Sequence, residues 1–305
     1  MNDIFGSPQA FAGLGEVLSV IAAVLWAVAV VLFRVAGEKV HPLGMNLFKN
    51  VLALVLLVPT ILVFGQRFGS GLSAGQTAWL FLSGVVGIAV ADTLFLEALH
   101  RLGAELTAIV DCAYAPFVIV LSMLFIGERM TGLQTAGVGL ILAAVLLITL
   151  RRPDSLISRR VLLSGVGIGI VSLFFQAAGI VMFKPILGKT TILWTAFVRM
   201  AGGAAGAGLV TFFHGRRKEI LRSLRVPANL RSLFPASLFG AYISNIIWLG
   251  GMKYVQASVA SALNQLNTIF IFILAAVFLK ERVTPVKAVA VAVAFAGALL
   301  ASAAL

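Results

Sequence analysis

The sequence predicts an all-α membrane protein, with ten transmembrane helices arranged as two inverted five-helix repeats. Three observations predict it. The 305 residues are 61% hydrophobic and 11% charged, with a mean hydropathy of +1.08, whereas a soluble domain carries about 25% charged residues. Apolar runs of the length that a bilayer core takes up, about 20 residues each, occur ten times. The stretch from Ala91 to Leu150 recurs without a gap from Ser244 to Ala303, at an offset of 153. Asp92 falls on Asn245, Asp111 on Asn264, Phe125 on Phe278, and Glu128-Arg129-Met130-Thr131 on Glu281-Arg282-Val283-Thr284.

Taken in order, the candidate spans are 14–36, 43–65, 76–98, 104–125 and 131–150, then 162–183, 192–213, 232–252, 257–279 and 284–304. The chain therefore divides into a first repeat (1–150), a basic linker (151–161) and a second repeat (162–305). The early spans repeat at an offset of 150: Phe33-Arg34 matches Phe183-Lys184, and Lys49 matches Arg199. An odd number of spans per repeat turns the second upside down relative to the first.

The N-terminus, MNDIFGSPQAFAGLG, lacks the basic start of a secretory signal, and no cleavage is expected. Gly165 with Gly169, and the run Gly202 to Gly208, have the small-residue spacing that lets helix backbones approach closely in lipid. Between the seventh and eighth spans, Ile220, Leu221 and Leu224 share a helical face. Either a short helix at the lipid surface or a solvated basic loop fits them.

The net charge of +12 would suggest nucleic acid in a soluble chain. Here the basic residues gather between spans, which points to orientation and to contact with anionic lipid, and to no nucleic-acid partner. Sixteen Lys and Arg lie in the odd-numbered loops and five on the opposite side. That count puts the odd loops in the cytoplasm and both termini outside. The expected location is the plasma (inner) membrane, multi-pass, as a monomer or homodimer.

Cys112 is the one cysteine, so neither a disulfide framework nor a cysteine-based metal site can be built. The three histidines, His41, His100 and His214, form no HExxH. With no P-loop either, neither an enzyme nor a cofactor is expected.

The end of the first repeat carries Pro116, then Gly127-Glu128-Arg129-Met130-Thr131, then Gly137 with Gly139. In this the chain resembles a ten-helix member of the drug/metabolite transporter superfamily, of the EamA type. The resemblance spans nearly the whole chain. It implies carriage of a small metabolite, amino acid, sugar or drug through a central cavity between the repeats; the family commonly keeps both termini in the cytoplasm. The second repeat departs from the pattern, with Ile269 aligned to Pro116 and Lys280 to Gly127.

Ionisable residues within spans are costly at membrane depth and so are functional candidates. Lys49, Asp92 and Asp111 lie roughly 10 Å below one membrane face at 1.5 Å per residue. Arg199, Asn245 and Asn264 lie at a similar depth below the other. Asp92 or Asp111 would exchange a proton for substrate while Lys49 holds the other carboxylate ionised. The alternatives are a Lys-Asp pair that only locks helices, and snorkelling of Lys49 and Arg199 to the interface. If the two cations face the cavity, the substrate is anionic or zwitterionic.

Ser261, Asn264, Gln265 and Thr268 share a face of the ninth span, as a cavity wall or as interhelical hydrogen bonds would require. Gln176, its counterpart Trp26, and Tyr114 are further candidate substrate contacts, with packing the alternative role for Trp26. Glu97 reads as a helix-end partner of His100 or Arg101, and Glu128 and Glu281 as caps or braces. A flippase for lipid or lipid-linked compounds and a passive channel are the rival functions.

Overall fold

Long apolar runs become helices because, away from water, a helix satisfies its backbone groups within the run itself. The computed structural model describes residues 13–66, 69, 71–127, 131–150, 158–255, 257–280 and 284–302, with no strand among them. The helices are α1 (Leu14–Ala36), α2 (Pro42–Val63), α3 (Ala74–Leu102), α4 (Ala104–Asp111 and Tyr114–Ile126) and α5 (Gly132–Leu150). They continue as α6 (Arg159–Leu187), α7 (Ile192–Phe213), α8 (Arg217–Ser223), α9 (Pro227–Tyr254), α10 (Ala257–Asn264 and Leu266–Phe278) and α11 (Pro285–Ser302). Among the described residues seven helices are long and apolar enough to cross a membrane, and Leu266–Phe278 and Pro285–Gly297 are shorter apolar helices. Glu128, Arg129, Glu281, Arg282 and residues 151–157 of the linker lie outside the described residues.

The helices begin where the sequence offers caps. Ser73 and Gln76 form a reciprocal capping box at α3. Thr191 caps α7 through Trp194 N at 3.2 Å, and His41 Nδ1 accepts from Leu43 N at 3.2 Å at the start of α2.

Two expected spans are not continuous. α4 breaks at Cys112 and Ala113, whose N–H groups turn back to Ile109 O and Val110 O, three residues earlier. Pro116 explains this, because it has no N–H to donate to Cys112 O and its ring crowds that carbonyl. α10 breaks at Gln265, the residue 153 after Cys112, although Ile269 replaces the proline there. The two broken helices lie against each other, with Leu266–Phe278 packed on Ala104–Asp111.

α3 and α9 each contain one wider turn, a π-helical stretch at Val85–Val90 and at Leu238–Ser244. These too start 153 residues apart. The first long helix of each half packs on the third long helix of the other: α1 lies along Asn245–Tyr254 and α6 along Ala91–Leu102. α2 packs on α7, and α5 on α11.

Glycine permits the tightest of these contacts. A Cβ on Gly84 would lie 2.1 Å from Arg199 O, and one on Gly202 would lie 2.2 Å from Phe81 O, so α3 and α7 touch backbone to backbone. Residues 217–223 do form a helix, and Ile220 is buried beside Leu43 and Ala207, docking α8 onto α2 and α7. Leu221 is 42% exposed and does not share that buried face.

Candidate functional site

The packing brings the middles of α1, α2, α3, α4, α6, α7, α9 and the break in α10 around one cavity of about 100 Å³. At roughly 10–15 Å³ per water position, that is room for several waters or for the head of a small solute. Of the residues singled out from sequence, Trp26, Lys49, Asp92, Asp111, Tyr114, Gln176, Arg199, Asn245 and Asn264 line it. Gln265 and Ser261 do not.

Those two point elsewhere for a local reason. Ser261 is fully buried and donates to Ala257 O within its own helix. Gln265, at the helix break, reaches the main-chain oxygen of Asp111 at 3.5 Å. Thr268 donates to Ala108 O at 3.3 Å. Apart from Asn264, this polar face forms no cavity wall: Gln265 and Thr268 join α10 to α4, and Ser261 bonds within α10.

Lys49 and Asp92 form a closed pair. Lys49 Nζ lies 2.6 Å from Asp92 Oδ2 and 3.1 Å from Asn50 Oδ1. Asn50 donates to Asn46 Oδ1 at 3.0 Å. Asn46 in turn donates to Ile88 O at 2.9 Å and Ala89 O at 3.1 Å. Those two carbonyls belong to the wide turn of α3, so the buried amides of α2 hold that turn in place and seat Asp92 one turn beyond it.

Asp111 and Arg199 are not closed in this way. Asp111 accepts from Asn267 Nδ2 at 3.3 Å and makes no ion pair among the described residues. Arg199 is 5% exposed, and its guanidinium carbon lies 3.8 Å from the Phe183 ring centre and 6.0 Å from that of Trp248. Arg199 Nε and Nη1 are buried without an acceptor among the described residues. Both Lys49 and Arg199 thus turn inward instead of snorkelling to the interface.

Sequence reasoning missed several contributors. Asn267 stands 153 residues after Tyr114, and Trp248 the same distance after Phe95, so the repeat register held a signal for both. Asn46, one helical turn before Lys49, and Asn50, next to it, carried a plainer signal as amides within an apolar run. Ile88, Ile180 and Met200 line the cavity as apolar wall, indistinguishable in sequence from core residues.

At the end of α3, Arg101 pairs with Glu97 at 2.6 Å, so Arg101 and not His100 is the partner in that ion pair. His41 and His214 meet with ring centres 5.5 Å apart. Among the described residues no group of three or more His, Cys, Asp or Glu is placed to hold a metal ion.

A model of the EamA-like transporter family matches residues 13–150 and again 163–303. The chain belongs to the EamA-like transporter family. An "Uncharacterized transporter" of Archaeoglobus fulgidus is 35% identical over 74 residues, 24% of this chain and 27% of that one. The "Uncharacterized transporter YxxF" of Bacillus subtilis is 26% identical over 140 residues, 43% of each chain. The matches span less than half the length of either relative.

A protein of known crystal structure superposes on this EamA-like transporter with a TM-score of 0.69, covering 95% of this chain and 96% of the other. At 15% identity that likeness shows a shared fold. The EamA-like transporter is accordingly a multi-pass, all-helical membrane protein. Its charged and amide side chains converge between the helices that the two family matches contribute.

Proposed function

We propose that the chain moves a small polar or amphipathic metabolite outward across the plasma membrane by alternating access, with proton exchange at a buried carboxylate. Two five-helix repeats, 1–150 and 162–305, lie inverted on each other and rock about the central cavity, joined by 151–161. The odd-numbered loops face the cytoplasm.

One observation carries this reading. Two buried ionisable residues of opposite sign, Asp111 and Arg199, face a single cavity without an ion-pair partner among the described residues. A chain that needed them only for stability would have closed them on each other, as Lys49 closes on Asp92. The inverted arrangement is supported by the exchanged packing of α1 and α6, and by wide turns and helix breaks recurring at one offset.

In this scheme Asp111 takes a proton from one compartment and releases it to the other, while Asp92 remains paired with Lys49. Proteoliposomes holding a pH-sensitive dye test it. Asp111→Asn should abolish solute-linked proton movement and Asp92→Asn should leave part of it. Unchanged coupling in both variants would defeat the proposal.

A further inference from the structure

We infer that the transported solute carries an oxyanion head, a carboxylate on an apolar or aromatic body, which docks on the guanidinium of Arg199. The inference rests on the transport reading and names its substrate class.

The two repeats place their central cations in different company. In the first, Lys49 is matched by Asp92 at 2.6 Å. In the second, Arg199 stands at the position of Lys49, but Asn245 stands at the position of Asp92. The chain has replaced the counter-anion by a neutral amide and the ammonium by a planar fork of five donors.

Among the described residues nothing fills that fork. Nε and Nη1 are buried without an acceptor among the described residues, and no hydrogen bond from Nη2 is found there either. A buried guanidinium left without acceptors is costly, and the natural acceptor for a fork is a two-oxygen anion bound through parallel N–H···O bonds. Asp92 is held by Lys49, and Asp111 by Asn267, so neither carboxylate serves.

The surroundings fix where such an anion would sit. Phe183 lies against the guanidinium at 3.8 Å and covers one of its faces. On the α3 side Gly87 keeps the space next to Nη2 open, since a Cβ there would stand 3.4 Å from that atom. Trp26, Tyr114 and Trp248 supply aromatic wall for the rest of the solute.

The test uses the purified full chain, with phenylacetate, its neutral analogue phenylacetamide, the cation phenethylamine and inorganic phosphate as probes. Thermal protection and tryptophan fluorescence report binding. Phenylacetate is expected to bind and the amide and amine to bind at least tenfold more weakly. Binding by phosphate alone would uphold the oxyanion subsite but overturn the carboxylate head, assigning the site to a phosphorylated solute.

Arg199→Gln should lose at least tenfold in affinity for phenylacetate. Asn245→Asp, which restores the arrangement of the first repeat, keeps Arg199 in place and should close the fork with a similar loss. Unchanged affinity in the Asn245→Asp variant, or preference for phenethylamine, would overturn the inference. Counterflow of labelled phenethylamine that phenylacetate cannot inhibit would overturn the oxyanion subsite while leaving transport itself intact.

Discussion

Lys49 Nζ donates to Asp92 Oδ2 at 2.6 Å across the contact between α2 and α3, with the two side chains 3% and 12% exposed. The pair is buried and further tied to Asn50. Removing one partner of such a pair leaves an uncompensated charge and costs about 3–5 kcal/mol, whereas replacing both by apolar groups costs far less. Lys49→Met and Asp92→Leu should therefore each destabilise strongly, and the double variant less than their sum. Unfolding by denaturing detergent measures this; strict additivity would show that the two side chains do not act as a pair.

The contact between α3 and α7 makes a second prediction. A Cβ at Gly84 or Gly202 would lie within about 2.2 Å of a carbonyl oxygen on the facing helix, and backbone cannot give way as a flexible side chain can. Gly84→Ala and Gly202→Ala should cost about 1–3 kcal/mol or more. A Cβ at Gly167 on α6 would meet nothing within 4 Å. Gly167→Ala should instead stabilise by up to about 1 kcal/mol, because alanine is the better helix former. Equal melting temperatures for all three variants would contradict the close approach.

The helix ends following α4 and α10 share a conformation that their residues do not. Gly127 has φ +80° and Lys280, 153 residues later, has φ +53°. A side chain in the left-handed region costs about 1–2 kcal/mol per residue. Lys280→Gly should raise the melting temperature and Gly127→Ala should lower it. A fall in stability for Lys280→Gly would mean that the exposed lysine contributes something the backbone strain does not outweigh.

Burial, and then the neighbouring His214, hold the pKa of His41 below its ordinary value of 6.5. The folded state thus binds fewer protons than the unfolded one. The associated stability is complete above pH 6.5 and is lost as the pH falls through the depressed folded value. His41 Nδ1 also accepts from Leu43 N at the start of α2, a bond that protonation of that nitrogen would break. His41→Asn keeps a capping side chain and removes the titration. Its melting temperature should fall less between pH 7.5 and 5.5 than that of the wild type, and an unchanged slope would rule His41 out as a source.

Much of this was legible in the sequence because hydrophobic length fixes helices in a bilayer and rare buried charges mark a cavity. The offset of 153 located Asp92, Asp111, Asn245 and Asn264 before any fold was seen, and the structure gathers all four at one cavity. The wide turns at Val85–Val90 and Leu238–Ser244 were not legible, since apolar residues on every face leave no period from which to tell one helical turn from a wider one. The face of Ser261, Gln265 and Thr268 was seen, but a cavity wall and a helix contact demand the same spacing. What separates them is which oxygens on α4 lie within reach, those of Ala108 and Asp111, and that depends on where the two helices break.

Counterflow in proteoliposomes tests the central claim most directly. Vesicles loaded with unlabelled phenylacetate and placed in trace labelled phenylacetate should accumulate label transiently above its equilibrium level. Asp111→Asn should retain this exchange, because it needs no net proton movement, and Arg199→Gln should abolish it. Label that rises only to equilibrium in the wild type, or transient accumulation that persists in Arg199→Gln, would contradict an alternating-access carrier built around this cavity.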